Sequence, residues 1–217
     1  MLPTLLPVLL LVGLGIAFTL LTRRVSQRLG RSANRFGAGD TAHNFVGRVY
    51  RVSGAVLFLY LLARSLWPAI DAAAGLIPVL ARPAVAWIGF AIMVAGSLVI
   101  LAAQVQMGAS WRIGLDQERT GLVISGLFAW SRNPTFLGMI AVVLGAFFIA
   151  PTAVTAVVLT AAWIAFSVQV RMEEEHLQRI HGVAYDRYCT TVPRWIAVRF
   201  RAETQVADTR PVDHAGK

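Results

Sequence analysis

The sequence predicts an all-α integral membrane protein of five transmembrane helices, with a tight helical hairpin between spans four and five and a cytosolic C-terminal helix. Three observations carry this. Of 217 residues, 57% are hydrophobic and 14% charged, against about 45–50% and roughly a quarter in soluble domains. Mean hydropathy is +0.64. The apolar residues also fall into runs long enough to cross about 30 Å of hydrocarbon as helices. The length suits one compact bundle.

The first run, 2–22, carries no charge. No basic residue precedes it and no small-residue cleavage site follows, so it reads as a retained span. Arg23, Arg24, Arg28, Arg31 and Arg35 come next, in a Gly/Ser/Asn-rich loop. The second span covers roughly 46–66, with Arg48, Arg51 and Arg64 near its ends, where long side chains snorkel. The third runs roughly 84–106. A loop of about 27 residues, 107–133, leads to apolar segments at about 134–150 and 152–171, which meet at "IAPT". Residues 1–200 form a single domain, with two N-terminal spans in 1–67 and a core in 84–195. The polar tail 201–217 reads as disordered.

Nineteen arginines and one lysine give the net charge of +9. They crowd the 23–35 loop, the 107–133 loop and the tail after 171, and nearly avoid the alternate connections. The asymmetry predicts an outside N-terminus and a cytosolic C-terminus, in a bacterial inner membrane. It explains the charge without nucleic acid. A single cysteine, Cys189, gives no internal disulfide and no metal-ligand spacing, so no metal site is expected.

Two segments on the cytosolic side carry chemistry. In "SRNPTFLG" (131–138), Asn133 is a favoured N-cap and Pro134 suits the first helical position, so the fourth span starts here. Its free N–H groups and dipole favour an anion. In "RMEEEHLQRIHGVAYDRYCTTVPRW" (171–195), Glu173, Glu174 and Glu175 sit at a surface that repels them, so a cation or donors must lie nearby. Arg171 and Arg179 can supply that charge structurally, or a ligand can. Glu174, His181, Tyr185 and Tyr188 are spaced by seven, four and three residues, which puts them on one face of a continuing helix.

Together, "SRNPTFLG", about 35 residues of apolar hairpin, and Glu173, Glu174, Leu177, Gly182, Tyr185, Tyr188, Val192, Pro193, Arg194 resemble the isoprenylcysteine carboxyl methyltransferases and the related phospholipid methyltransferases. The resemblance covers roughly 104–195. It implies S-adenosylmethionine as methyl donor, with Gly121, Leu122 and Val123 as backbone contacts. It further implies walls from Phe128 and the Asn133, Pro134, Phe136 turn, and Glu173 receiving the amino group with Glu174 in support. The family's usual histidine is Asn133 here, and its usual tyrosines are Phe128 and Phe136. The Asn-Pro form is similar to that of many bacterial relatives.

Methyl transfer from a sulfonium needs chiefly alignment of donor and nucleophile. The site offers no clear base, since Asn133 does not titrate and His176 and His181 read as surface or packing residues. This favours a pre-ionised acceptor, such as the carboxylate of an isoprenoid-like thioether acid, with phospholipid, amine or thiol acceptors as alternatives. Arg171, Arg194 and Tyr185 are the candidate catalytic residues. Trp111 and Arg112, at the membrane rim, are candidates for binding a lipophilic substrate or, equally, an interface anchor. A non-enzymatic membrane scaffold, in which the glutamates only pair with arginines, is the competing reading.

Overall fold

The computed structural model describes residues 4–30, 39, 41–110 and 121–196. The expected disordered tail, 201–217, lies outside them, as do Trp111 and Arg112. The described residues fold into helices α1 (Leu6–Leu29), α2 (Ala42–Leu66), α3 (Ile70–Ala73), α4 (Pro83–Met107), α5 (Pro134–Ile149), α6 (Ala153–His181) and α7 (Val183–Thr191), with two short 3-10 turns at Gly108–Ser110 and Gly126–Ala129. Extended pairing among the described residues is limited to an isolated antiparallel bridge, Leu76 to Thr152.

Four helices, Leu6–Arg28, Ala42–Leu66, Pro83–Met107 and Ala153–His181, are long and apolar enough to cross a membrane. Their outward faces are hydrocarbon-like: Leu9, Val52, Leu98, Val157 and Ile164 are each more than half exposed. The fourth expected span, α5, has 16 residues, a rise of about 24 Å that falls short of the hydrocarbon thickness. It is instead clamped onto α4. Gly96 and Gly138 face each other so closely that a Cβ on either would lie 2.7 Å from the other's carbonyl oxygen. Gly89 and Gly145 repeat this two turns away, the small-residue seam that membrane helices use to approach closely.

The α5–α6 hairpin is as tight as the sequence implies. Thr152 caps α6 reciprocally with Thr155: Thr155 N–H donates to Thr152 Oγ1 at 3.4 Å, and Thr152 N–H to Thr155 Oγ1 at 3.2 Å. Helix contacts close a ring in the order α1, α4, α5, α6, α2 and back to α1. Gln104 serves as inter-helix glue, donating to Thr22 Oγ1 at 2.8 Å and to the Phe18 carbonyl at 3.2 Å. The arginines of the second span are also accounted for. Arg64 pairs with Asp71 at 2.8 Å, an oxygen set that Tyr60 also reaches at 2.7 Å. Arg51 bonds the Gly47 carbonyl at 3.3 Å.

α6 has 29 residues, about 44 Å of helix. That exceeds about 30 Å of hydrocarbon, and the glutamates lie in the last three turns. The expected continuation of one helix through Tyr188 is not observed. α6 stops at His181, and Gly182 (φ +53°, ψ −126°) breaks the chain before α7. A side chain rarely adopts that backbone conformation, so glycine is required at the corner.

Candidate functional site

The two sequence motifs meet at one end of the ring, and Glu174 is the point where they join. Its Oε1 accepts a hydrogen bond from Asn133 Nδ2 at 3.0 Å, and its Oε2 accepts from Arg194 Nε and Nη2 at 3.0 and 2.8 Å. Arg132 lies 3.5 Å from Oε1. The backbone is tied as well: Arg132 N–H donates to the Pro193 carbonyl at 3.0 Å. Ser131 Oγ and Asn133 Nδ2 both donate to the Arg194 carbonyl, at 3.3 and 3.2 Å. Asn133 occupies the N-cap position of α5 as expected, but its side chain makes no cap bond. Its amide is spent across the fold.

Glu173, one residue earlier, turns to the other side of α6, because successive helical residues are about 100° apart. It meets no cation. Gln169 Nε2 donates to its Oε1 at 2.9 Å, and among the described residues no arginine, lysine or histidine forms an ion pair with it. Loss of hydration pushes its carboxyl up to about 7; the charge of Glu174 adds to this and the Gln169 bond opposes it. Tyr50 of α2 donates through its hydroxyl to the Ala165 carbonyl at 3.4 Å, earlier on the same helix. Tyr50 in turn packs on Phe166 (centroids 5.1 Å apart), and Phe166 on Phe136 (5.8 Å). Glu175 points to solvent.

The remaining expected residues divide. Phe128 is buried, and its carbonyl accepts from Tyr188 Oη at 2.6 Å. Leu122 packs against the buried trio Tyr185, Tyr188 and Val192, while the Gly121 carbonyl accepts from Ser110 Oγ at 3.1 Å. Val123 is half-buried beside them in sequence, and Pro134 is buried at the start of α5. Tyr185 is 3% exposed, and burial first, then the charge of Glu174, drives its hydroxyl well above the usual phenol range. Burial also pushes Tyr188 up to about 12. Both hydroxyls stay protonated near neutrality. The Arg194 guanidinium is held further toward its charged form by its bonds to Glu174.

Arg171 does not join this group. It is exposed, and its Nη1 donates to the Ser167 carbonyl at 2.8 Å, one turn back on its own helix. Sequence reasoning missed Arg132, Gln169, Tyr50 and Phe166. Arg132 was visible inside the quoted motif. Gln169 was marked by its i, i+4 relation to Glu173. Tyr50 and Phe166 gave no local signal, because only the packing of α2 on α6 brings them in. Among the described residues, no group of three or more His, Cys, Asp or Glu is placed to hold a metal ion.

An S-adenosylmethionine-like ligand carries an ammonium and a sulfonium. A half-buried carboxylate without a cationic partner among the described residues suits such a ligand. A carboxylate already neutralised by two arginines does not.

Comparison with known proteins agrees with the motifs. Residues 84–184 match the model of the phospholipid methyltransferase family. A solved structure of a eukaryotic intramembrane Ras methyltransferase, isoprenylcysteine carboxyl methyltransferase, is similar in fold, with a TM-score of 0.51 at 20% identity. That likeness covers 70% of this chain and 52% of the other, so the chain spans about half the length of that protein. No curated protein sequence matches. The resemblance to the integral membrane methyltransferases read from the motifs is therefore borne out over the core of the chain.

Proposed function

We propose that this protein is a membrane-embedded methyltransferase that uses S-adenosylmethionine and acts on a lipophilic acceptor. The observation that carries this reading is the contrast between neighbouring glutamates. Glu174 is matched by Arg194 and Arg132, whereas Glu173 is a desolvated carboxylate bonded only to an amide.

S-adenosylmethionine supplies, when bound, a methyl group on a sulfonium. Glu173 holds the donor's ammonium, and Phe136 and Phe166, with Tyr50 behind them, provide an aromatic wall. Gly121, Leu122 and Val123 line the approach from the loop side, with Phe128 and Pro134 as packing. Glu174 acts indirectly. By clamping Asn133, Arg132 and Arg194, it fixes the start of α5 against the segment after α7. Tyr185 and Tyr188 remain neutral donors and move no proton. Alignment rather than proton transfer is thus what these residues provide.

The acceptor most in keeping with a site that has no base is a pre-ionised carboxylate on an isoprenoid-like thioether acid. The alternative is a phospholipid head group, which the family matched over 84–184 favours by its name. Arg171, which forms no ion pair among the described residues, is a cation available to orient an anionic acceptor, since Arg194 is engaged with Glu174. Trp111 and Arg112 are assigned to the acceptor from the sequence. The arginine bias supports a cytosolic site in a bacterial cell, with the N-terminus outside and α5 as the short fourth of five spans.

Radiolabelled methyl transfer from S-adenosylmethionine into a total lipid and metabolite extract tests this. Label in an extractable amphiphile is expected, and its base lability separates an ester from an N-methyl product. No incorporation above a Glu173→Gln control would contradict the enzyme reading.

A further inference from the structure

A second cluster of charge lies at the end of the bundle remote from Glu174. α5 starts beside Glu174 and ends at Ile149, and α6 returns from Ala153, so the "IAPT" hairpin is a helix length away from the glutamates. There the connection between α2 and α4 is clipped to the hairpin. Leu76 bridges to Thr152, Ile77 N–H donates to the Pro151 carbonyl at 2.8 Å, and Ala153 N–H donates to the Gly75 carbonyl at 2.9 Å. The clip, the start of α4 and the end of α5 bound a cavity of about 230 Å³. Its polar lining is Thr4, Arg64, Asp71 and Arg82, with Phe148 and Pro151 among the apolar walls. All four polar residues precede the matched segment 84–184.

We propose that this cavity binds the phosphate of an anionic phospholipid, with Arg64 and Arg82 as its cations. Asp71 is the one acidic residue between 41 and 115, so the two arginines outnumber the carboxylates at this end. Asp71 is also fully engaged. Tyr60 Oη donates to its Oδ1 at 2.7 Å, and Arg64 Nε reaches Oδ1 and Oδ2 at 3.1 and 2.8 Å. Arg64 is therefore held through Nε alone, and its two terminal nitrogens donate to nothing among the described residues. They carry four of a guanidinium's five N–H donors, in the planar fork that suits a phosphate. Asp71 serves as a positioning residue that fixes this fork at the cavity. Arg82, just before α4, is exposed and forms no ion pair among the described residues.

The surroundings select a lipid over a free anion. Leu66, Trp67 and Val79 on the connection, and Trp87 and Ile88 on α4, are all exposed. Tryptophans among apolar side chains at the ends of spans mark the level of the lipid head groups. The cavity takes the phosphate, and the acyl chains lie along the outward face of α4. The cations come from the N-terminal part of the chain and the apolar wall from α5 and the hairpin, so a bound lipid ties the first two spans to the matched core.

The test is native mass spectrometry of the full-length protein in detergent micelles with phosphatidylglycerol, phosphatidylcholine or inorganic phosphate, for wild type, Arg82→Gln, Ala86→Phe and Arg24→Gln. Wild type is expected to retain one phosphatidylglycerol in preference to phosphatidylcholine. Arg82→Gln leaves Asp71 matched and should weaken retention about fivefold, the effect of one arginine at an anionic lipid surface. Ala86→Phe keeps every charge but fills the cavity that Ala86 lines, and should weaken retention as well. Arg24→Gln removes an exposed arginine about 27 Å along α1 from the cavity end, and should change nothing. Thermal unfolding in the same detergent reports on folding, and phosphatidylglycerol should raise the unfolding temperature of wild type more than that of Ala86→Phe. Equal retention of the two lipids by wild type, or equal losses in Arg82→Gln and Arg24→Gln, would overturn the site by showing attraction to net charge alone. Displacement of the lipid by millimolar inorganic phosphate would overturn the lipid assignment in favour of a free anion.

Discussion

Asn133 donates through Nδ2 to both Glu174 Oε1, at 3.0 Å, and the Arg194 carbonyl, at 3.2 Å, so a single amide joins three segments 61 residues apart at their extremes. An amide offers two N–H donors from one nitrogen, whereas a neutral imidazole offers one in all. A histidine at this position would therefore make a different joint as well as titrate. Asn133→Ala should cost about 1.5–3 kcal/mol of stability, because it strips a buried carboxylate of a donor. Thermal unfolding in detergent measures this; a loss under 0.5 kcal/mol would show that the joint is held by the arginines alone.

Glu174 and Arg194 should behave as a coupled pair. Arg194→Met leaves a carboxylate that is 9% exposed without its main partner, and a loss of about 1–3 kcal/mol is expected, discounted for the partial exposure of Arg194. Adding Glu174→Gln should recover most of it. A double-mutant cycle with additive effects would contradict the coupling.

The α4–α5 seam should reject side chains. Gly96→Ala places a methyl 2.7 Å from the Gly138 carbonyl oxygen, and overpacking of this kind costs about 1–3 kcal/mol. Gly54, whose surroundings are open, serves as the control: Gly54→Ala should be neutral or mildly stabilising by helix propensity. Equal unfolding temperatures for the two variants would contradict the close approach.

Glu173 should make the ligand-free protein less stable as the pH rises. Its carboxyl is raised from 4.5 to about 7 in the folded chain, so between those values the folded state binds more protons than the unfolded state and stability falls with pH. The stabilisation is present below about 4.5 and lost as the pH passes through about 7. Glu173→Gln should flatten that slope in unfolding curves recorded from pH 5 to 8. A slope retained in the variant would assign it to another group.

Much of the fold was legible because apolar run length and arginine placement report on membrane helices directly. α2 and α4 end at Leu66 and Met107, beside the expected ends at 66 and 106, whereas α6 runs on past Arg171 to His181. The shortness of α5 was visible, but its clamp on α4 was not, because Gly89, Gly96, Gly138 and Gly145 are ordinary glycines until two helices are set side by side. The break at Gly182 also escaped the spacing of Glu174, His181, Tyr185 and Tyr188. A period of 3.6 extrapolates through a residue whose positive φ ends the helix. The glutamate run was read as needing a positive partner, with two answers held open, Arg171 and Arg179 or a ligand; the arginines that pair are Arg194 and Arg132. The structure divides them by residue: Glu174 takes the arginines, and Glu173 is left without one. The packing of α2 on α6 sets Tyr50 against Phe166, more than 110 residues later in the chain, and no local pattern records that.

The most direct test of the central claim is calorimetric titration of S-adenosylhomocysteine into wild type, Glu173→Gln and Glu175→Gln at pH 8, where Glu173 is ionised. The account predicts binding to wild type, a loss of about 1.5–3 kcal/mol in Glu173→Gln and no change in Glu175→Gln, whose side chain is exposed. No binding to wild type up to millimolar ligand, or equal affinities for all three proteins, would contradict it.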